Sequence, residues 1–176
     1  MRQLLIALLL LSFACSPKSE VQTEIETEVH SASDSLLLKP EEMKYLKNIK
    51  QLTFGGNNAE AYWSFDDSML VFQSDYSEWG AECDQVYYTN WKTDDLQNSQ
   101  PKRLSTGLGR TTCSYFLPDN KSIVYASTHL GGDNCPPVPE RRTDGKYVWP
   151  IYDSFDIFTS DLEGNIISQL TNEPGY

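Results

Sequence analysis

Residues 60–75 and 113–128 carry one pattern twice, at a fixed offset of 53. Ala61-Tyr62-Trp63-Ser64-Phe65-Asp66-Asp67-Ser68-Met69-Leu70-Val71-Phe72-Gln73-Ser74 aligns without a gap on Ser114-Tyr115-Phe116-Leu117-Pro118-Asp119-Asn120-Lys121-Ser122-Ile123-Val124-Tyr125-Ala126-Ser127. A repeat at this period constrains the fold more than any single residue, because units of this length build propellers or solenoids. Each copy reads as an aromatic strand, a tight turn and an apolar, β-branched strand. The turns carry Asp66-Asp67 and Pro118-Asp119-Asn120, residues that bond their own backbone or preset φ. Leu70-Val71-Phe72 and Ile123-Val124-Tyr125 are short apolar runs between turn signals, the pattern of strands buried on both faces.

Each unit continues with Asp84-Gln85-Val86-Tyr87-Tyr88-Thr89-Asn90 or Asp156-Ile157-Phe158-Thr159-Ser160-Asp161. A turn follows, clearest at Asp161-Leu162-Glu163-Gly164-Asn165, and then a short strand ending in Arg103-Leu104-Ser105 or Gln169-Leu170-Thr171. Four strands per unit is the number in a propeller blade. The ending occurs once more as Gln51-Leu52-Thr53, ahead of the first complete unit.

Trp63-Ser64-Phe65-Asp66-Asp67 and Phe116-Leu117-Pro118-Asp119-Asn120, each followed by an apolar strand and an outer strand ending in Leu-Thr or Leu-Ser, resemble the TolB-type, WD-like propeller repeat. Neither copy keeps the family's full Ser-Pro-Asp-Gly. Lys47-Asn48-Ile49-Lys50-Gln51-Leu52-Thr53-Phe54-Gly55-Gly56 resembles the entry to such bacterial envelope propellers. The resemblance spans about 45–176. It implies an all-β chain: a partial β-propeller of two four-stranded antiparallel blades, about 59–105 and about 112–171, with Gln51-Leu52-Thr53 as an N-terminal closing strand. Such rings have about six blades, so the chain is expected to be an N-terminal part or a short form that self-associates.

Arg2 followed by the apolar run Leu4–Leu11 predicts a signal peptide over residues 1–14; eight apolar residues are too few to span a bilayer, which needs about 20. Ala14-Cys15 resembles a bacterial lipobox, with Ser12 standing where that pattern has Leu. Cys15 is therefore the expected lipid attachment site, and the chain is expected to be an exported, membrane-anchored lipoprotein on the periplasmic or cell-surface side of the outer membrane. Residues 15–43 read as a flexible acidic tether ahead of a propeller at 44–176, since Glu20, Glu24, Glu26, Glu28 and Asp34 lie in a stretch too polar to drive ordering. Pro40-Glu41-Glu42-Met43-Lys44-Tyr45-Leu46 has the Pro and acids of a short helix start. The net charge of −11 excludes nucleic acid as a partner, which requires a basic stripe. It also leaves a lipid anchor as the only expected contact with membrane.

Cys83, Cys113 and Cys135 are disulfide candidates in an exported setting. All three are expected on one face, with Cys83–Cys113 or Cys113–Cys135 as the bridge. His129 stands near Cys135, but the spacing matches no zinc signature; an ordinarily solvated loop histidine is expected, and no metal. Residues 128–154 interrupt the second repeat with Gly, Pro, Arg and aromatics, and loops this long in compact folds often carry function. With the counterpart loop Asp75–Gly80, they nominate Tyr76, Trp79, Arg141, Arg142, Tyr147 and Trp149 as a partner-binding surface. Packing of those rings onto their own blade is the competing reading.

No catalytic set is present in the sequence. It has no Gly-x-Ser-x-Gly, His-Glu-x-x-His or phosphate-binding Gly-Lys-Ser/Thr loop, and no cofactor is expected. The expected function is a non-catalytic, TolB-like scaffold that binds envelope proteins. The resemblance implies work beside a peptidoglycan-associated lipoprotein and inner-membrane Tol proteins. The alternative is a gating propeller of a prolyl oligopeptidase-type or other exported hydrolase whose catalytic part lies outside this chain.

Overall fold

The computed structural model describes residues 37–146, 148 and 150–174. The expected signal peptide, Cys15 and most of the expected tether lie outside the described residues. Residues 37–49 fall in a unit separate from Lys50–Tyr176. Where a short helix was expected, residues 40–45 form overlapping turns: Glu42 and Met43 N–H groups donate to Lys39 O, and Glu42 Oε2 accepts from Lys39 N at 2.8 Å.

Within the second unit, β1 (Asn58–Trp63), β2 (Leu70–Ser74), β3 (Gln85–Thr89) and β4 (Lys102–Arg103) form one antiparallel sheet in that order. β5 (Thr111–Phe116), β6 (Ser122–Ser127), β7 (Asp156–Asp161) and β8 (Ile166–Gln169) form a second, also in chain order. The described residues are thus all-β, with two four-stranded antiparallel sheets, one per repeat. Gln51-Leu52-Thr53 is not a strand. The expected closing strand has no partner, because no third sheet exists among the described residues to offer it a free edge.

The repeat persists to the level of single hydrogen bonds. Ser64 N donates to Met69 O and Leu117 N to Ser122 O, both at 2.9 Å. Asp67 N donates to Ser64 O and Asn120 N to Leu117 O, both at 3.0 Å. Carboxylates hold the turns: Asp66 Oδ1 accepts from Ser64 Oγ, Ser68 Oγ and Ser68 N, and Asp119 accepts from Lys121 N, Ser122 N and Ser122 Oγ. Both carboxyls are held below their ordinary range, Asp66 chiefly by the Ser64 hydroxyl and Asp119 chiefly by the Lys121 amide. Asp67 and Asn120 take left-handed φ of 56° and 52°, a conformation Asn and Asp tolerate better than other side chains.

A β-bulge breaks the register in both first strands, between Ala59 and Tyr62 and between Thr112 and Tyr115. Glu60 and Cys113, one in each bulge, share a φ of 52°. Left-handed φ costs an L-residue about 1–2 kcal/mol, so both sheets impose the same local strain at the same place.

The main core lies between the sheets. Val71, Val86 and Leu104 of the first repeat pack with Phe116, Ile123, Tyr125 and Phe158 of the second. The period-2 alternation of each strand sends these side chains to the facing surfaces. A second cluster, Phe72, Tyr87, Trp79 and Leu96 with Tyr76 against it, covers the opposite face of the first sheet. Connecting segments therefore cover that face over Phe72 and Tyr87, while Trp63 at its β1 edge stays exposed.

Candidate functional site

The β2–β3 loop (75–84), the β4–β5 connection (104–110) and the β6–β7 loop (128–155) meet at one end of the stacked sheets. Cys83 and Cys135 form a disulfide there, with Cα atoms 6.0 Å apart, joining the same loop of the two repeats. Neither expected pairing forms: Cys113 is a free, exposed thiol. The reason is the bulge, which turns Cys113 outward from β5 while Cys83 is buried at the junction.

Gln85, fully buried, organises this junction. Its Nε2 donates to Gly109 O at 2.8 Å, and its Oε1 accepts from Ser105 Oγ at 2.7 Å. Ser105 Oγ in turn accepts from Val86 N at 3.0 Å. Gly109 has φ +59°, and a Cβ there would lie 2.6 Å from Thr128 Oγ1; only glycine fits against the start of the long loop. Gly109 N donates to Asp133 O, tying the connection to that loop. Arg110 Nη1 forms a short ion pair with Asp84 Oδ2. Burial lifts the Asp84 carboxyl above its usual range, and the Arg110 guanidinium opposes the shift. Arg110 Nε is buried with no hydrogen-bond partner among the described residues. Gln73 Oε1 accepts from Thr112 Oγ1 at 2.7 Å, a further polar clasp between the sheets.

A cleft of about 940 Å³ opens beside this junction. Its floor includes Ala126 and Ile157 of the second sheet, and Asp84, Arg110 and Cys113 line the side nearest the first sheet. The long loop forms its rim with Val138, Arg141, Arg142, Lys146 and Tyr152. Tyr152 Oη donates to Pro137 O at 2.7 Å, closing the base of the loop. Arg142 is neutralised by Asp144 through Nε and Nη2, whereas Arg141 and Lys146 have no ion pair among the described residues. Apolar walls with a few oriented polar groups are what binding clefts generally offer.

The nominated surface residues divide. Arg141 and Arg142 are exposed at the cleft rim. Trp79 is buried at 7 % exposure, with its ring against Phe72, Tyr76 and Tyr87. The single 3₁₀ turn Ser77–Trp79, closed by Gly80 in the left-handed conformation, points it inward. Tyr76 is half-buried and sits beneath Gly55 and Gly56, where an added Cβ would come within 2.4 and 2.6 Å of it. For Trp79 and Tyr76 packing onto their own sheet prevails. Tyr147 and Trp149 lie outside the described residues. His129 is not an ordinarily solvated residue: its ring lies 4.5 Å from that of Phe158, its Nδ1 is 2.9 Å from Ser127 Oγ, and burial lowers its pKa. Gln73 and Asp84 fall inside the repeated strand pattern and Arg110 outside it, and nothing in the sequence marked the three as parts of one junction.

No group of three or more His, Cys, Asp or Glu side chains able to hold a metal occurs among the described residues. No helix among them is long and apolar enough to cross a membrane. No protein-family model and no curated protein matches the chain.

Proposed function

We propose that the chain is a non-catalytic scaffold for protein partners, its two sheets acting as adjacent blades of a TolB-like β-propeller that presents the disulfide-joined loop end. The observation that carries this reading is the Cys83–Cys135 bridge. It joins the β2–β3 loop of the first repeat to the long β6–β7 loop of the second beside one cleft with a basic, exposed rim. A recognition surface needs such a fixed platform, because loops held in place lose less entropy on binding. The exported, lipid-anchored setting proposed for the chain rests on Arg2, the run Leu4–Leu11 and Cys15, and it makes envelope proteins the partner class.

The test is capture of solubilised envelope proteins by the immobilised chain. The double variant Arg141→Glu/Arg142→Glu should reduce capture by about ten-fold. Lys121→Glu, in the β5–β6 turn at the opposite end, should leave it unchanged. Equal capture by all three proteins refutes the assignment of the loop end.

A further inference from the structure

Two strained bulges set a row of exposed rings along the first strands of the two sheets. β1 and β5 are edge strands and lie against each other. Glu60 and Cys113 hold equivalent positions in their bulges, each at φ 52°. Two residues on stand Tyr62 and Tyr115, also equivalent. Their ring centroids are 5.2 Å apart, and Phe65, from the turn after β1, sits edge-on to Tyr115 at 6.2 Å. Tyr62, Tyr115 and Phe65 are 38 %, 46 % and 57 % exposed. Tyr62 Oη donates to Glu60 Oε2 at 2.8 Å, which brings the carboxylate to the rings. Among the described residues Glu60 Oε1 has no hydrogen-bond partner and Glu60 has no ion pair. The Tyr62 pKa is raised, first by its hydrogen bond to Glu60 and then by the Glu60 charge, with burial, Cys113 and Tyr115 adding to the rise. None of these influences comes from a cation. The β5 bulge is pinned from the other sheet, since Cys113 N donates to Gln73 Oε1 at 3.2 Å.

Bulges commonly blunt sheet edges. Edge protection needs neither a row of rings nor an unpaired carboxylate. Left-handed φ outside glycine persists only where its surroundings hold it, and it clusters at functional sites. We infer that Glu60, Tyr62, Phe65 and Tyr115 form a recognition site for an arginine side chain of a partner protein. Charge and shape together select that occupant. Ring faces attract cations, and the Glu60 carboxylate adds a full negative charge with no basic partner. A guanidinium is planar, so it can stack on a ring while its N–H fork reaches a carboxylate; a lysine ammonium is a compact, strongly hydrated charge that fits the combination less well. A neutral ligand would leave the carboxylate unmatched. The site goes beyond the loop end: neither Arg141 nor Arg142 takes part, so capture there can fail while this recognition holds.

The experiment titrates the peptide acetyl-Gly-Arg-Gly-amide into the isotope-labelled protein at physiological salt and follows its aromatic ring signals. The expected result is a saturable shift at Tyr62, Phe65 and Tyr115, with the matching lysine peptide bound at least about three-fold more weakly. Glu60→Gln should weaken the arginine peptide by about three-fold. Tyr115→Leu should weaken it as well, and Glu60→Gln carries the test if that ring variant fails to fold. Glu163→Gln, which removes an exposed acid in the β7–β8 turn, should have no effect. No saturable shift, equal affinity for the two peptides, or a loss from Glu60→Gln no larger than that from Glu163→Gln each overturns the proposal. So does a dimer of the chain, seen by light scattering, that Glu60→Gln abolishes, because a second copy would then supply the cation.

Discussion

Tyr125 shows most sharply how far single side chains are committed to the core. The residue is 1 % exposed, its hydroxyl has no partner among the described residues, and burial pushes its pKa up to about 12. A buried hydroxyl without a partner costs about 1–3 kcal/mol. Tyr125→Phe is therefore expected to leave stability unchanged or raise it by up to about 1 kcal/mol, measured by urea unfolding; a loss of that size would mean the hydroxyl has a partner in solution. At this scale the sequence was legible where backbone chemistry is local and opaque where it depends on facing. The turn carboxylates Asp66 and Asp119 could be read directly because they bond residues next to them. Trp79 could not: an aromatic in a Gly-bounded loop has the same signature whether it meets a partner or Phe72 and Tyr87. His129 failed likewise, since only the fold brings it against Phe158.

Between elements, the disulfide and the bulges matter most. The bridge spans 52 residues of chain and joins loops of separate sheets. Closing a loop of that order is worth about 2–4 kcal/mol, so Cys83→Ser with Cys135→Ser should lower unfolding free energy by about that amount. A loss under about 0.5 kcal/mol would indicate that the Gln85 network alone fixes the junction. Strand order and the hairpin turns were readable from the gapless offset, because two copies of one pattern must meet the same local demands. The bulges at Glu60 and Cys113 were hidden, since an extra residue leaves no compositional mark, and a missed bulge reverses which face a cysteine occupies. That is why the pairing came out as Cys83–Cys135. The expected closing strand at Gln51–Thr53 carries a strand-like ending, but strand formation requires a neighbour's free edge.

For the whole molecule, titration of several groups acts in one direction. His129 has a lowered pKa through burial; its contribution is complete above about pH 6.5 and is lost as pH falls through the lowered value. Asp66, Asp119 and Asp161 are lowered by hydrogen bonds to their charged forms, Asp161 chiefly from the Asn165 side chain. Their contributions are complete above about pH 3.9 and are lost as pH falls further. Asp84, raised by burial, runs the other way, losing its contribution as pH rises through its raised value. The urea midpoint should fall below about pH 6.5 through His129 and again below about pH 3.9 through the aspartates, with Asp84 opposing the fall in between, and Asp119→Asn with Asp161→Asn should flatten the part below about pH 4; a midpoint that rises from about pH 4 to pH 3 would contradict the aspartate shifts. The arrangement underneath is a duplicated unit whose copies fold as two separate sheets and bury apolar residues of one against rings of the other. Nuclear Overhauser contacts from the methyls of Val71, Val86 and Leu104 test it most directly. They should reach the rings of Phe116, Tyr125 and Phe158. Methyl contacts confined to the first repeat, with backbone contacts running between strands of the two repeats as in one continuous sheet, would contradict it.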